Sequence, residues 1–332
     1  MSETVDKKRK YLLYAAVLFL VVLLLSSGLL ILDIWDNNQG VYKSSSAESL
    51  ESSIQYNGET YILNGNIETF LVIGLDKFED AIDNSAYNND QQADFIMLFV
   101  LDNEKAQYSA IQINRDTITE INVLGVAGQK VDTVNKQIAL SHTYGNGKEV
   151  SCRNTADAVS KLLSNIRVNH YASLTMDSVP VINDLVGGVE VTVLDDFSGM
   201  DDTLIKGETV TLLGEHSLNY VRTRYGLEDS SNSRRMERQR QYLEALFSKV
   251  QDCAESDDQF IIEMSKSISE YLVSDCSISQ LQGISEKLGA YEFTGIQTID
   301  GESIVGEEYM EFYPEENSLN EIVVDLFYER KE

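Results

Sequence analysis

The sequence predicts an α/β fold, a three-layer α-β-α sandwich with a mixed central sheet, preceded by one transmembrane helix. Three observations carry that reading. Residues 11–32, YLLYAAVLFLVVLLLSSGLLIL, contain no charge. Beyond them, short apolar runs of strand length alternate with stretches of helical period. One pair of those runs is joined by a tight polar turn, which puts an antiparallel hairpin into the sheet.

The elements follow in chain order. Residues 11–32 at ~1.5 Å rise span a hydrocarbon core of ~30 Å. Lys7-Lys8-Arg9-Lys10 precede them, while Asp33 and Asp36 follow. The positive-inside tendency therefore keeps residues 1–10 in the cytoplasm and places the remainder outside the cell. A cleaved signal peptide is the competing reading, but its apolar region is shorter. Residues 37–53 are polar, Ser-rich and without period, which makes 33–53 a tether. The expected extracellular domain spans 54–332, with its motif-bearing core at 69–250.

Within that domain, Tyr56-Asn57-Gly58-Glu59 is a hairpin signal. Thr69–Gly74 reads as a buried strand ending at Asp76. FIMLFVLD (95–102) and QYSAIQIN (107–114) flank a turn at Asn103-Glu104-Lys105. Centring that turn near residue 104 places Asp94 opposite Arg115-Asp116. Asn154 or Thr155 is expected to cap a helix carrying Ala156, Val159, Leu162, Leu163 and Ile166 on one face. Leu185–Leu194 is a Gly-Gly turn into a strand, and 214–221 a short helix or turn ending at Arg222-Thr223-Arg224. Residues 233–250 form a long amphipathic helix with Met236, Leu243, Leu246, Phe247 and Val250 inward. Ser318-Leu-Asn-Glu321 opens a final helix by a capping box.

Composition excludes several functions. With 26 Lys+Arg against 54 Asp+Glu, the net charge is −28, which argues against nucleic acid as a partner. Three cysteines (Cys152, Cys253, Cys276) allow at most one bridge or remain as thiols, and three histidines make a His-based zinc site improbable. No P-loop, GxGxxG, GxSxG, HExxH or CxxC occurs.

Against that acidic background, Arg222, Arg224, Arg234, Arg235, Arg238 and Arg240 crowd one short stretch. Arg234, Arg235 and Arg238 fall in the first two helical turns, where the macrodipole disfavours cations by ~0.3–1 kcal/mol each. Arg235 and Arg238 share a face with Gln239 beside them. Arginine forks and free helix N–H groups together suit phosphate oxygens. Arg234 and Arg240 are assigned instead to solvated ion pairs with neighbouring acids. Asp94, Asp116 and Asp76 at a strand end would repel such an anion unless a hard cation bridged them, and Mg²⁺ (or Mn²⁺) does so. Outside the cell there is no ATP, so the phosphoryl donor must already be activated. A lipid-linked pyrophosphate meets that requirement. Asp196, Asp201 and Asp202 read as ordinary loop acids.

The runs Ala93-Asp94-Phe-Ile-Met-Leu, Ile113-Asn114-Arg115-Asp116-Thr117, Leu185–Val189, Gly214–Arg224 and Arg235-Met-Glu-Arg238-Gln239 resemble, in order and spacing, the LytR–CpsA–Psr family. The resemblance implies a sandwich whose core holds a polyprenyl chain. It also implies a phosphotransferase moving a teichoic-acid or capsule-like glycopolymer from undecaprenyl pyrophosphate to a peptidoglycan hydroxyl. On this match Asp94 and Asp116 are the metal carboxylates. Arg115, Arg222, Arg224, Arg235, Arg238 and Gln239 bind pyrophosphate, and Asp76 or Asp116 orients or deprotonates the acceptor. Asn232 stands where the family often has Asp, with Asp229 close by. A non-catalytic, membrane-anchored regulator that binds polyprenyl phosphate is the alternative, and no motif covers 251–332.

Overall fold

The computed structural model describes residues 53–76, 89–224, 226–257, 260–277, 280, 283–284, 287, 290–306 and 309–331. The expected cytoplasmic segment, the apolar span 11–32 and all of the tether but Ser53 lie outside them. Among the described residues no helix is long and apolar enough to cross a membrane.

The strands are β1 (Ser53–Tyr56), β2 (Glu59–Leu63), β3 (Ile67–Leu75), β4 (Ala93–Asp102), β5 (Gln107–Ile113), β6 (Ile118–Leu124), β7 (Lys130–Gln137) and β8 (His170–Thr175). They continue with β9 (Val189–Thr192), β10 (Thr209–Leu212), β11 (Leu272–Ser274), β12 (Glu292–Thr298), β13 (Gly301–Val305), β14 (Met310–Pro314) and β15 (Tyr328–Arg330). The α-helices are α1 (Glu149–Leu162), α2 (Ser178–Leu185), α3 (Glu215–Arg222), α4 (Asn232–Ser256), α5 (Phe260–Ile268) and α6 (Glu316–Phe327).

The chain divides into two compact units. The larger comprises 53–174, Val273–Cys276 and 294–331, and holds the central six-stranded sheet in the order β11-β8-β3-β4-β5-β12. This is the mixed α/β arrangement that the pattern of elements predicts. Phe70, Leu71, Val72 and Ile73 are each at most 5% exposed, so β3 is buried on both faces and needs no polar alternation. Leu71, Ile73, Ile96, Leu98, Val100, Ile111 and Ile113 form one apolar face, packed with Val159 and Leu163 and with Ile322, Val323 and Phe327 of α6. Val100, Ile111 and Val159 are thus ordinary core.

The β1–β2 hairpin turns at Asn57 (φ 50°) and Gly58 (φ 80°), and β15 pairs with the far edge of β2. Two helix starts differ from expectation. Helix α1 begins at Glu149, five residues before Asn154, because Asn146 Oδ1 already accepts from the N–H groups of Lys148 (2.9 Å) and Val150 (3.1 Å). Asn154 is instead buried inside the helix, bonding the carbonyls of Asn122 and Ser141. Helix α6 begins at Glu316, and the Ser318 hydroxyl accepts from Asp300 N–H at 3.0 Å. The C-terminal region, which carried no motif, supplies β12, β13, β14, α6 and β15. All three cysteines are free thiols.

The smaller unit, Thr175–Leu272 and Ser277–Phe293, holds the β9–β10 hairpin and α2–α5. Gly187 (φ 76°) and Gly188 (φ 92°) make the turn into β9, as their pairing in sequence requires. Along α4, Met236, Tyr242, Leu246 and Val250 are buried while Leu243 is only half-buried. The Phe247 side chain lies outside the described residues.

Candidate active site

Local turn chemistry explains why an arginine and an aspartate stand together beyond β5. Asn114 Oδ1 accepts from the Asp116 N–H at 2.9 Å, and the Asn114 carbonyl accepts from the Thr117 N–H at 3.0 Å. The register Ile96↔Ile113, carried two residues on, sets Asp94 across from Arg115. Arg115 Nη1 donates to Asp94 Oδ1 and Nη2 to Gln92 Oε1. Arg115 Nε lies 3.6 Å from Asp116 Oδ1, buried and without a hydrogen bond.

Asp116 is held from two further sides. Gln137 Nε2, at the end of β7, donates to Asp116 Oδ1 (2.9 Å) and to the Met310 carbonyl (2.7 Å). The Phe312 N–H donates to the Asp116 carbonyl at 2.9 Å, so β14 braces the same residue. Asp76 directly follows β3, whose last residue Leu75 pairs with Ala93 after a bulge, and so lies at the same end of the sheet. Gly74 permits that bulge, since a Cβ there would stand 2.7 Å from Phe95 Cβ. This end of the larger unit therefore gathers Asp76, Asp94, Arg115 and Asp116.

The donor set fits a hard divalent cation. Two carboxylates flank one guanidinium, and Mg²⁺ needs only one or two carboxylates, taking its remaining ligands from phosphate and water. The buried, unbonded Arg115 Nε is a donor that an anionic oxygen would satisfy.

In the smaller unit the arginines separate by role. Ser231 caps α4, its hydroxyl accepting from Arg234 N–H at 3.1 Å. Arg235 is 6% exposed and Nη2 donates to Asn232 Oδ1 at 2.5 Å, so the amide supplies the acceptor where an acid was expected. Arg238 is wholly buried. Its Nε donates to the Tyr220 carbonyl (2.9 Å), Nη2 to the Thr223 carbonyl and Nη1 to Asp195 Oδ2. Gln239 Nε2 donates to the Val221 carbonyl at 3.3 Å. Together they serve carbonyls that the last turn of α3 leaves unpaired. The guanidinium of Arg238 also lies 5.6 Å from the Phe197 ring centroid, and Phe197 stacks on Tyr220.

Asp195, 3% exposed, also receives Arg234 Nε at 2.7 Å. Arg234 further pairs with Glu237 at 2.5 Å, as a solvated ion pair predicts, but its bond to the buried Asp195 exceeds that reading. Arg222, between the clamped carbonyls of Val221 and Thr223, is exposed, and Arg224, directly after them, is half-buried. Burial pushes the Tyr220 phenol up to about 12, so its hydroxyl stays protonated, donating to Gln241 Oε1 at 2.5 Å.

Gln92, Gln137 and Asp195 carry no sequence signal. Their partners lie 23 residues or more away, except for Gln137 and Asp116, which are 21 apart. Asp195 also sits beside Asp196, an exposed loop acid that looks the same in sequence.

A model of the LytR_cpsA_psr family matches residues 35–326. The chain is 24% identical over 326 residues to Polyisoprenyl-teichoic acid--peptidoglycan teichoic acid transferase TagU of Bacillus licheniformis, covering 96% of each. Among solved structures, TagV of B. subtilis aligns with a TM-score of 0.59 at 20% identity, over 80% of this chain and 97% of that one. TagT bound to LIIa-WTA aligns with a TM-score of 0.57 at 21% identity, over 79% and 90%. These two likenesses are of fold.

Proposed function

The chain belongs to the LytR_cpsA_psr family, and from that premise we propose that it is a membrane-anchored extracellular phosphotransferase. It moves a teichoic-acid or capsule-like glycopolymer from undecaprenyl pyrophosphate to a peptidoglycan hydroxyl. The observation that carries this reading is the Asp94–Arg115–Asp116 constellation at the sheet end, in a chain related along its length to a teichoic acid transferase. Residues 11–32 supply a single span with the N-terminus inside, and 54–332 the extracellular part, built as a three-layer sandwich.

Asp94 and Asp116 would hold Mg²⁺ or Mn²⁺, which when bound supplies positive charge to the pyrophosphate oxygens. Arg115, Arg222, Arg224 and Arg235 donate to those oxygens and stabilise charge on the departing polyprenyl phosphate. Arg238 and Gln239, spent on the α3 carbonyls, act by presenting Arg222 and Arg224. The acceptor oxygen bonds to the phosphorus carrying the glycan as the bridging bond to polyprenyl phosphate breaks. Asp76 or Asp116, both at this end of the sheet, orients the acceptor hydroxyl or takes its proton.

The test uses the purified full-length chain, a polyprenyl-pyrophosphate glycan, peptidoglycan and Mg²⁺, reading release of polyprenyl phosphate. Arg115→Ala and Arg235→Ala should each lower turnover about 10²-fold or more, and a chelator should abolish it. Unchanged turnover in both variants removes the site assignment. Saturable lipid binding without turnover would favour the regulatory alternative.

A further inference from the structure

We propose that His170, Asp275 and Cys276 form a zinc-binding site at the end of the central sheet remote from Asp94 and Asp116. His170 opens β8, and Asp275-Cys276 directly follow the edge strand β11 beside it. His170 Nδ1 lies 3.7 Å from Asp275 Oδ1, and Cys276 Sγ lies 3.9 Å from the same oxygen. All three donor atoms fall within 4.8 Å of one another. Tetrahedral zinc with bonds of ~2.0–2.3 Å holds its ligand atoms roughly 3.3–3.7 Å apart, so the two separations from Asp275 need to close by only a few tenths of an ångström and that between His170 and Cys276 by about 1 Å at most.

The chemistry of the donors selects the metal. Imidazole, thiolate and carboxylate suit zinc, whereas Mg²⁺ and Ca²⁺ prefer oxygen alone. The geometry is braced independently of any ion. Tyr171 N–H donates to Asp275 Oδ1 at 2.9 Å, and Ser274 Oγ donates to the Tyr171 carbonyl (2.7 Å) while accepting from Cys276 N–H (3.2 Å). Arg153 Nη2 holds the other carboxylate oxygen, Asp275 Oδ2, at 3.4 Å, with its guanidinium 5.5 Å from the Tyr171 ring centroid. A carboxylate fixed through its outer oxygen while the inner one faces the other donors is the support that metal sites use. The three residues are half-buried, which leaves water access to a fourth position.

This is not the Asp94 end of the sheet. The Thr69 N–H donates to Asn169 Oδ1, so His170 lies near the start of β3, whereas Asp76 follows its end. At ~3.3 Å per residue the two ends are roughly 20 Å apart. A free thiol is mostly protonated at neutral pH and zinc takes the thiolate, so binding at Cys276 must release that proton.

The full-length chain, purified in non-ionic detergent and stripped with chelator, is titrated with Zn²⁺ and with Co²⁺. One Zn²⁺ per chain should bind with proton release, read as calorimetric heats that depend on the buffer. The Co²⁺ form should show a thiolate-to-cobalt charge-transfer band. Cys276→Ser should abolish the band, and both Cys276→Ser and His170→Gln should weaken Zn²⁺ binding about tenfold or more. Cys253→Ser and Asp94→Asn should keep band and affinity, which separates this site from the Cys253 thiol and from the Mg²⁺ carboxylates. Thermal unfolding of the metal-free variants checks that each is folded. The proposal is overturned if no Zn²⁺ binds below about 1 mM, or if Cys276→Ser and His170→Gln titrate like the parent. Either result would leave Asp275 as a turn acid paired with Arg153.

Discussion

A guanidinium with no solvent exposure is tolerable only when its donors and its charge are both met inside the protein. Arg238 meets this condition with two carbonyls and one carboxylate, and the carboxylate is Asp195. Removing it leaves a buried cation without its counter-charge. Asp195→Ala should therefore destabilise by about 3–5 kcal/mol, well beyond a surface ion pair. Asp195→Asn, which keeps an acceptor, should cost less. Urea unfolding of both variants checks the order. Arg238→Lys should resemble the alanine variant, since an ammonium is a point donor and cannot span three separated acceptors. Sequence reveals the arginine cluster because six cations in an acidic chain stand out. It does not reveal which of them are spent inside the scaffold and which are not. That division depends on Asp195, 43 residues before Arg238, and on backbone carbonyls that have no identity in sequence.

Elements are legible where pairing is local and opaque where it is not. The β4–β5 register follows from one turn position, and Asn57-Gly58 announces β1–β2, because each ladder closes within a few residues. The partner of β2's other edge is β15, more than 260 residues later, and no periodicity encodes that meeting. The edge matters physically, since β15 covers a row of backbone groups that would otherwise face water. Tyr328 is 7% exposed, and Lys331 N–H donates to the Thr60 carbonyl at 2.8 Å. A chain ending at Phe327 should lose about 2–4 kcal/mol from the buried tyrosine and the lost ladder. Its denaturant midpoint should fall. Gly58→Ala provides the contrasting case. Its Cβ would meet nothing within 4 Å, yet φ is +80°, so the cost is backbone strain alone, about 1 kcal/mol.

At the scale of the whole molecule, two electrostatic effects respond differently to pH and salt. The net charge of −28 opposes compactness by self-repulsion, which added salt screens over ~8–10 Å. Raising ionic strength should therefore raise the melting temperature at neutral pH. His142 acts otherwise. It has no exposure, its Nδ1 lies 3.1 Å from the Gln91 carbonyl, and burial lowers its pKa to about 4. In the unfolded chain an imidazole titrates near 6.5. Between those values the unfolded state takes up a proton that the folded state refuses, so stability falls as pH falls. From pH 7 to 5.5 the loss should be about 1 kcal/mol, approaching about 3 kcal/mol by pH 4. Because this penalty comes from desolvation rather than from distant charges, salt should lift the whole stability curve without removing the slope. His142→Gln should flatten the slope at every salt concentration. A variant that kept the parent's pH dependence, while salt abolished it, would assign the acid sensitivity to surface charge and not to the buried imidazole.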